Sequence, residues 1–382
     1  MMRQMLAFLS GSAGCIVFAL AIIVWLHVFL MAEEHVPIFI CLVTVVGLGV
    51  AANMLKVTDA VRTSLAEHER LWNLCALAVP LALIWLFRED HYNLFLIGAI
   101  MVYAVAVLGL NVQLGYAGVI NFSCASFFGI GAYTSTMLMT GAGLPPLAAL
   151  LLGGVMAALV GCILIFPVLR TSGHYAALVT MAFALLFKVF MDVNDFFGGP
   201  QGITVPPMTL FGIDFSHNML FGDTELSFYL RYDLLCLLLL GLAFCFVRRL
   251  ERSWIGLSMD AVRSDDTASA CFGINISRWK ITAFVVGNCL SGLAGALYAM
   301  MQAYISPANF TFSDSLLFLS ILLLGGIGNM WGVILATVFV VLIPEKFQVI
   351  QEFRYLIYSG LVLLMIIFSP KGLLPRQPRS YS

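Results

Sequence analysis

No Asp, Glu, Lys or Arg occurs between Asp90 and Arg170. So long an uncharged stretch has room for three hydrocarbon-crossing helices of about 20 residues each. The rest of the chain repeats the pattern, with charges in clumps and apolar runs between them. The runs fall at 5–31, 36–56, 72–87, 93–111, 119–140, 146–169, 174–191, 229–249, 280–303, 315–342 and 354–369. They do not alternate in ten-residue segments as the strands of a membrane barrel would. Helices satisfy their own backbone groups in lipid. The expected fold class is all-α: a polytopic helical membrane protein of about 10–11 spans, with room for broken helices and an internal repeat. The first run follows only Arg3, is too long for a signal-peptide core, and reads as a retained span.

Composition narrows the function. Apolar residues make up 62% of the 382 and charged residues 10%, against roughly a quarter charged in ordinary globular proteins. A soluble enzyme, a nucleic-acid binder and a disordered chain are all excluded. The partner demanded at this stage is the lipid bilayer, and nucleic acid is not expected. The nine cysteines contain no C-x-x-C and mostly lie inside apolar runs, so they read as small apolar filler and no metal site is expected.

The few charges give an orientation. Segment 192–228 holds Asp192, Asp195, Asp214, Asp223 and Glu225 with no Lys or Arg, whereas 248–280 holds Arg248, Arg249, Arg252, Arg263, Arg278 and Lys280. One span separates them, so the acidic segment is expected outside and the basic one in the cytoplasm. Counting back places 57–71 and the N-terminus in the cytoplasm. The tail carries Lys371, Arg376 and Arg379 and returns to the cytoplasm if 315–342 breaks in two at Gly325-Gly326-Ile327-Gly328-Asn329. That is the preferred reading. Lys188, one turn from Asp192, reads as a snorkelling side chain. Arg231 and Asp233 begin a span and read as interfacial anchors.

Enzymatic motifs are missing. None of the five lysines follows a glycine, so there is no Walker A loop; there is also no H-E-x-x-H and no G-x-S-x-G. No catalytic residue is assigned.

Three constellations remain. The first runs from Leu108 to Tyr133, with five glycines and uncharged polar groups at membrane depth. It is either tight helix packing or an interrupted helix along a substrate path. The second is the loop from Arg252 to Lys280. Asp265 or Asp266 can cap a short helix there, and Gly273 can end it. A compact helix with an apolar rim suits docking on another protein. The third is Gly287, Ser291, Gly295 and Ala299, every fourth residue of one span, which reads as a helix-packing face.

Taken together, R-S-W-I-G, A-V-R-S-D-D-T-A-S-A-C-F-G-I-N-I-S-R-W-K, S-G-L-A-G-A-L-Y-A, L-L-G-G-I-G-N-M-W-G and F-S-P-K-G-L-L-P, following the Leu114–Tyr133 stretch, resemble the LivM-type permease subunits of ABC importers for branched-chain amino acids. The resemblance covers about 90–375. It implies N-terminal spans 1–90 as an appended part, a permease core 91–376 with a cytoplasmic coupling loop 250–280, and a tail 377–382. It implies a subunit of the bacterial inner membrane that is not itself an enzyme. ATP and magnesium would sit on two partner ATPase subunits, beside a LivH-like second permease and a periplasmic amino-acid-binding protein. ATPase coupling would fall to Gly256, Arg263, Asp265, Asp266, Ala270, Gly273, Ile274 and Asn275. The translocation pathway would fall to Gly115, Gly118, Asn121, Ser123, Ser126, Gly129, Gly131, Tyr133, Gly325, Gly326, Gly328 and Asn329. Two alternatives are the same architecture carrying urea or short amides, and a stand-alone secondary carrier. Leu114-Gly115-x-x-Gly118 echoes Leu324-Gly325-x-x-Gly328 and suggests repeated halves.

Overall fold

The computed structural model describes residues 12–32, 37–38, 40–41, 44, 69–171, 174–210, 212–221, 224–346, 356, 360, 363, 372–374 and 376. The expected spans at 36–56 and 354–369, the loop 57–68 and the tail 377–382 lie wholly or mostly outside the described residues. The long helices are α1 (Ser12–Met31), α2 (Glu69–Leu86), α3 (His91–Leu110), α4 (Cys124–Ala142), α5 (Pro146–Arg170), α6 (His174–Val193) and α7 (Tyr229–Arg252). Two short helices follow, α8 (Trp254–Ser264) and α9 (Asp266–Cys271), then α10 (Ile276–Gln302), α11 (Phe312–Gly325) and α12 (Met330–Lys346). Among the described residues, seven helices are long and apolar enough to cross a membrane. α2 is shorter, α12 has only 17 residues, and α4 is diluted by glycine, serine and threonine. The chain is a polytopic helical membrane protein, as its apolar runs require.

Lipid supplies no hydrophobic drive for helices to meet, so they associate by close van der Waals packing. α10 occupies the centre, against α3, α4 and α5. Its small-residue face makes this possible. A side chain at Gly287 would collide with the Gly109 carbonyl of α3, one at Gly292 with α5, and one at Gly295 with the Phe128 carbonyl of α4. Gly131 of α4 meets the backbone of Gly292. The outer helices turn bulky side chains such as Ile163, Leu186 and Leu242 outward.

The two ends of the bundle differ. At the acidic end, segment 203–226 forms β1 (Ile203–Thr204), β2 (Thr209–Leu210), β3 (Ile213–Asp214), β4 (Met219–Phe221) and β5 (Thr224–Leu226), and β6 (Tyr304–Ile305) follows α10. They pair antiparallel as β1–β6, β2–β3 and β4–β5, with Ile203 opposite Ile305. The end is tied by Ser227 N–H to the Arg88 carbonyl at 2.9 Å and Lys346 Nζ to the Leu30 carbonyl at 2.6 Å. Lys188 pairs with Asp192 at 2.6 Å on a half-exposed surface. The basic end carries α8 and α9.

Asp233 corrects the sequence reading. It is not an interfacial anchor: it is fully buried against Gly98 of α3 and Met301 of α10, and neither carboxyl oxygen has a hydrogen-bond partner among the described residues. Counting from the start of the span placed it at the surface, but α3 and α10 close over it.

Candidate functional site

The first constellation folds as an interrupted helix. α3 does not stop at Leu110 but loosens into a π-helical turn, Asn111–Tyr116, at the basic end. Residues 117–123 then turn back into the bundle before α4 begins. Irregular backbone at this depth is tolerated only where its polar groups find partners inside the protein. Side chains from several helices provide them. Thr180 Oγ1 of α6 accepts from Phe122 N–H at 3.1 Å, and Ser315 Oγ of α11 accepts from Ala125 N–H at 3.0 Å. Asn121 Oδ1 accepts from Ser123 N–H at 2.9 Å and Ser123 Oγ at 2.6 Å.

A buried amide cluster continues from there. Asn121 Nδ2 donates to Gln113 Oε1 at 2.8 Å and to Asn288 Oδ1 at 3.1 Å. Gln113 Nε2 donates to Asn288 Oδ1 at 2.8 Å and to the Phe284 carbonyl at 3.1 Å. The cluster joins the π turn, the returning loop and α10 without a single charge. Gln113 and Asn288 were missed as site residues. The signal for Asn288 was available: it is a lone amide inside a span of small and apolar residues.

The second glycine run breaks the long run 315–342 into α11 and α12, which pack on each other, as preferred from the sequence. A side chain at Gly325 would come within 2.5 Å of the Gly332 carbonyl, so the two helices touch backbone to backbone at their junction. Gly328 takes φ +89°, a conformation glycine adopts at no cost. Its N–H donates to Asn111 Oδ1 of the π turn at 2.8 Å. Asn329 Oδ1 caps α12 by accepting from Trp331 N–H at 3.0 Å. The two runs that echo each other in sequence therefore lie against each other, with Gly115 beside Gly328.

The other proposed pathway residues are not all in this cluster. Gly129 lies between Phe187 and Phe310, and Gly131 is a helix contact. Ser126 and Tyr133 are buried with hydroxyls that have no partner among the described residues. Tyr133 faces Phe197 and Phe310 near the acidic end. A cavity of about 90 Å³ lies between α3, α4, α11 and α12, lined by Tyr103, Phe128, Asn309, Asp314, Phe318 and Glu345 among others.

The basic loop is built rather than merely solvated. Of the two candidate caps, Asp265 starts α9, accepting from Thr267 N–H at 2.8 Å and Ala268 N–H at 3.0 Å. Asp266 instead pairs with Lys280 of α10 at 2.5 Å. At the other end, Gly273 N–H bonds the Ala270 carbonyl and Ile274 N–H the Ser269 carbonyl, with Gly273 at φ +76°. That pair of bonds is a Schellman stop. Asn275 then caps α10 by accepting from Arg278 N–H at 3.0 Å. Phe272, 86% exposed, and Trp254, 65% exposed, leave apolar surface on this end. Gly256 is buried, packed on the last turn of α7. Arg263 reaches inward, donating to the Gly115 carbonyl at 2.5 Å. The expected coupling residues and the expected pathway residues thus meet at Gly115.

A family model described as branched-chain amino acid transport system / permease component matches residues 92–369. The chain belongs to this family. The Escherichia coli high-affinity branched-chain amino acid transport system permease protein LivM is 38% identical over 77% of this chain and 73% of its own. A Methanocaldococcus jannaschii protein named as a probable LivM is 24% identical over 72% of this chain and 91% of its own. The Escherichia coli permease protein LivH is 23% identical over 76% of this chain and 96% of its own. No solved structure matches significantly. The π turn, the amide cluster and both glycine breaks fall within the matched residues of the permease. The family is one of transport components, not of enzymes.

Proposed function

We propose that this permease moves branched-chain or similar small amino acids inward as one subunit of an ATP-driven importer. In this reading it lies in a bacterial inner membrane with its acidic end outside and its N-terminus and basic end in the cytoplasm. A LivH-like permease pairs with it, two ABC ATPase subunits bind the basic end, and a periplasmic binding protein delivers substrate to the acidic end. ATP and magnesium are held by the ATPase subunits. The observation that carries the proposal is α9, capped at both ends beside exposed Phe272 and Trp254, with Arg263 of the adjoining α8 bonded to Gly115 at the helix break. A rigid docking element joined to a break in a membrane helix can pass a partner's movement into the bundle. The relatives named LivM and LivH support the substrate class and the paired permease.

The test is purification of the tagged permease from its native membrane, then reconstitution with the binding protein. Recovery with ATPase subunits and ATP-dependent leucine uptake are expected. Leucine flux through this chain alone in liposomes without ATP would establish the stand-alone carrier instead. Uptake of urea or acetamide in preference to leucine would refute the substrate class.

A further inference from the structure

The C-terminal segment makes contacts that the coupling loop alone does not explain. Leu373 N–H bonds the Leu324 carbonyl at 2.8 Å and Leu374 N–H the Gly325 carbonyl at 3.2 Å, filling acceptors that the end of α11 leaves open. Three residues on, Arg376 lies over the Tyr116 ring at 5.4 Å and touches Gly328 through its stem. Its guanidinium donates to both carboxylate oxygens of Asp260 of α8, at 2.6 and 2.7 Å, and to the Gly115 carbonyl at 3.3 Å. Both side chains of the pair are about four-fifths buried, with 20% and 19% exposed. Arg263, one turn along α8 from Asp260, donates to the same carbonyl.

We propose that Arg376 is a positioning residue that locks α8 to the π turn and the second glycine break, so that the three move as one body during coupling. Arg263 by itself ties α8 to the Gly115 carbonyl through one side chain. The second guanidinium, anchored on Asp260 and placed over the Tyr116 ring, adds a second tie to the same carbonyl. Charge-assisted bonds are about twice as strong as neutral ones, and a planar fork can hold Asp260 and Gly115 together where an ammonium cannot.

The inference rests on the importer reading, and its test separates the two. The complete complex is assembled with R376A and with R376K, and ATP hydrolysis and leucine uptake are measured in the same vesicles. ATP hydrolysis is expected to persist while uptake per ATP falls at least about fivefold in R376A, the lower range of coupling free energies between sites. R376K keeps the charge and is expected to fall between R376A and wild type. Uptake per ATP within about twofold of wild type in an assembled R376A complex overturns the proposal. G273V in the same assay tests the parent reading. If G273V uncouples and the Arg376 variants do not, only the joint fails; if G273V also transports normally, the coupling-loop reading fails with it.

Discussion

Asn121→Ala removes the side chain that holds the returning loop in place. Four hydrogen bonds end on it: two from Ser123 to Oδ1 and two from Nδ2 to Gln113 and Asn288. Asn121 and the side chains it bonds are buried, so water is poorly placed to replace them, and Ser123 N–H and Gln113 Oε1 lose these partners. Hydrogen bonds within membrane proteins average about 0.6 kcal/mol, and typical net values in proteins are about 1 kcal/mol. Four of them give about 2–4 kcal/mol of local stability. At about 1.4 kcal/mol per tenfold, loop opening should become roughly 30- to 700-fold more populated. Amide exchange of residues 118–125, followed by mass spectrometry in nanodiscs, reads that change directly. Exchange in the α5 segment 148–153, about two turns from Gly161, where α5 meets Asn288 of the cluster, should not move. Loop exchange within threefold of wild type in Asn121→Ala would refute the reasoning, since the loop would then be held by packing alone.

The remaining predictions concern packing, caps and charge. Gly131→Leu should prevent α4 from seating on α10, where the opposing Gly292 backbone leaves no room, and should cost about 3 kcal/mol or more, seen as lost assembly. Gly241→Ala, with nothing near its position, should leave the thermal midpoint equal or higher, because alanine favours helix by about 1 kcal/mol; equal damage from both would refute the contact argument. Asp265→Ala should fray α9 at a cost of about 1 kcal/mol, read as faster exchange of Thr267 and Ala268 while α10 stays protected. Gly273→Val meets no neighbour yet must hold a left-handed backbone, at about 1–2 kcal/mol, and should lower uptake per ATP hydrolysed. Asp233→Asn should leave the thermal midpoint equal or raised, because among the described residues the buried carboxyl has no hydrogen-bond partner to lose.

The spans were legible because lipid leaves few solutions: an uncharged run of the right length must be a helix. Caps were legible for a similar reason. Asp265 and Gly273 act within a few residues of themselves, so local spacing carries the information; the cap at Asn275 obeys the same rule and was not read. The break at Gly325–Asn329 was legible from glycine density and from the charge conflict it resolves. The amide cluster was only half legible. Asn121 and Ser123 sit together in sequence, but Gln113 and Asn288, which bond Asn121, and Thr180 and Ser315, which bond Phe122 and Ala125, come from other elements. Asn288 stands out as a lone amide in its span, yet nothing local says what it meets. Asp233 shows the same limit in reverse. Its position at a helix start predicts exposure, and only packing against Gly98 of α3 and Met301 of α10, which are far from it in sequence, decides otherwise.

The packing itself limits where this bundle can move. At Gly109–Gly287, Gly131–Gly292 and Gly295–Phe128 the backbones touch, and a contact with no intervening side chain has no rotamer to absorb a shift. α3, α4, α5 and α10 should therefore move together or not at all. The π turn and residues 117–123 are different, held by hydrogen bonds of about 1 kcal/mol each that can be exchanged one at a time. The second glycine break lies directly against them, through Gly328 and Asn111. A displacement of α8 delivered at Gly115 would thus reach both breaks before it could deform the central helices. Alternating access in this subunit should appear as rearrangement of residues 111–123 and 325–329 around a fixed α10. Distance measurements between spin labels on α4 and α10 that changed during turnover would refute that arrangement.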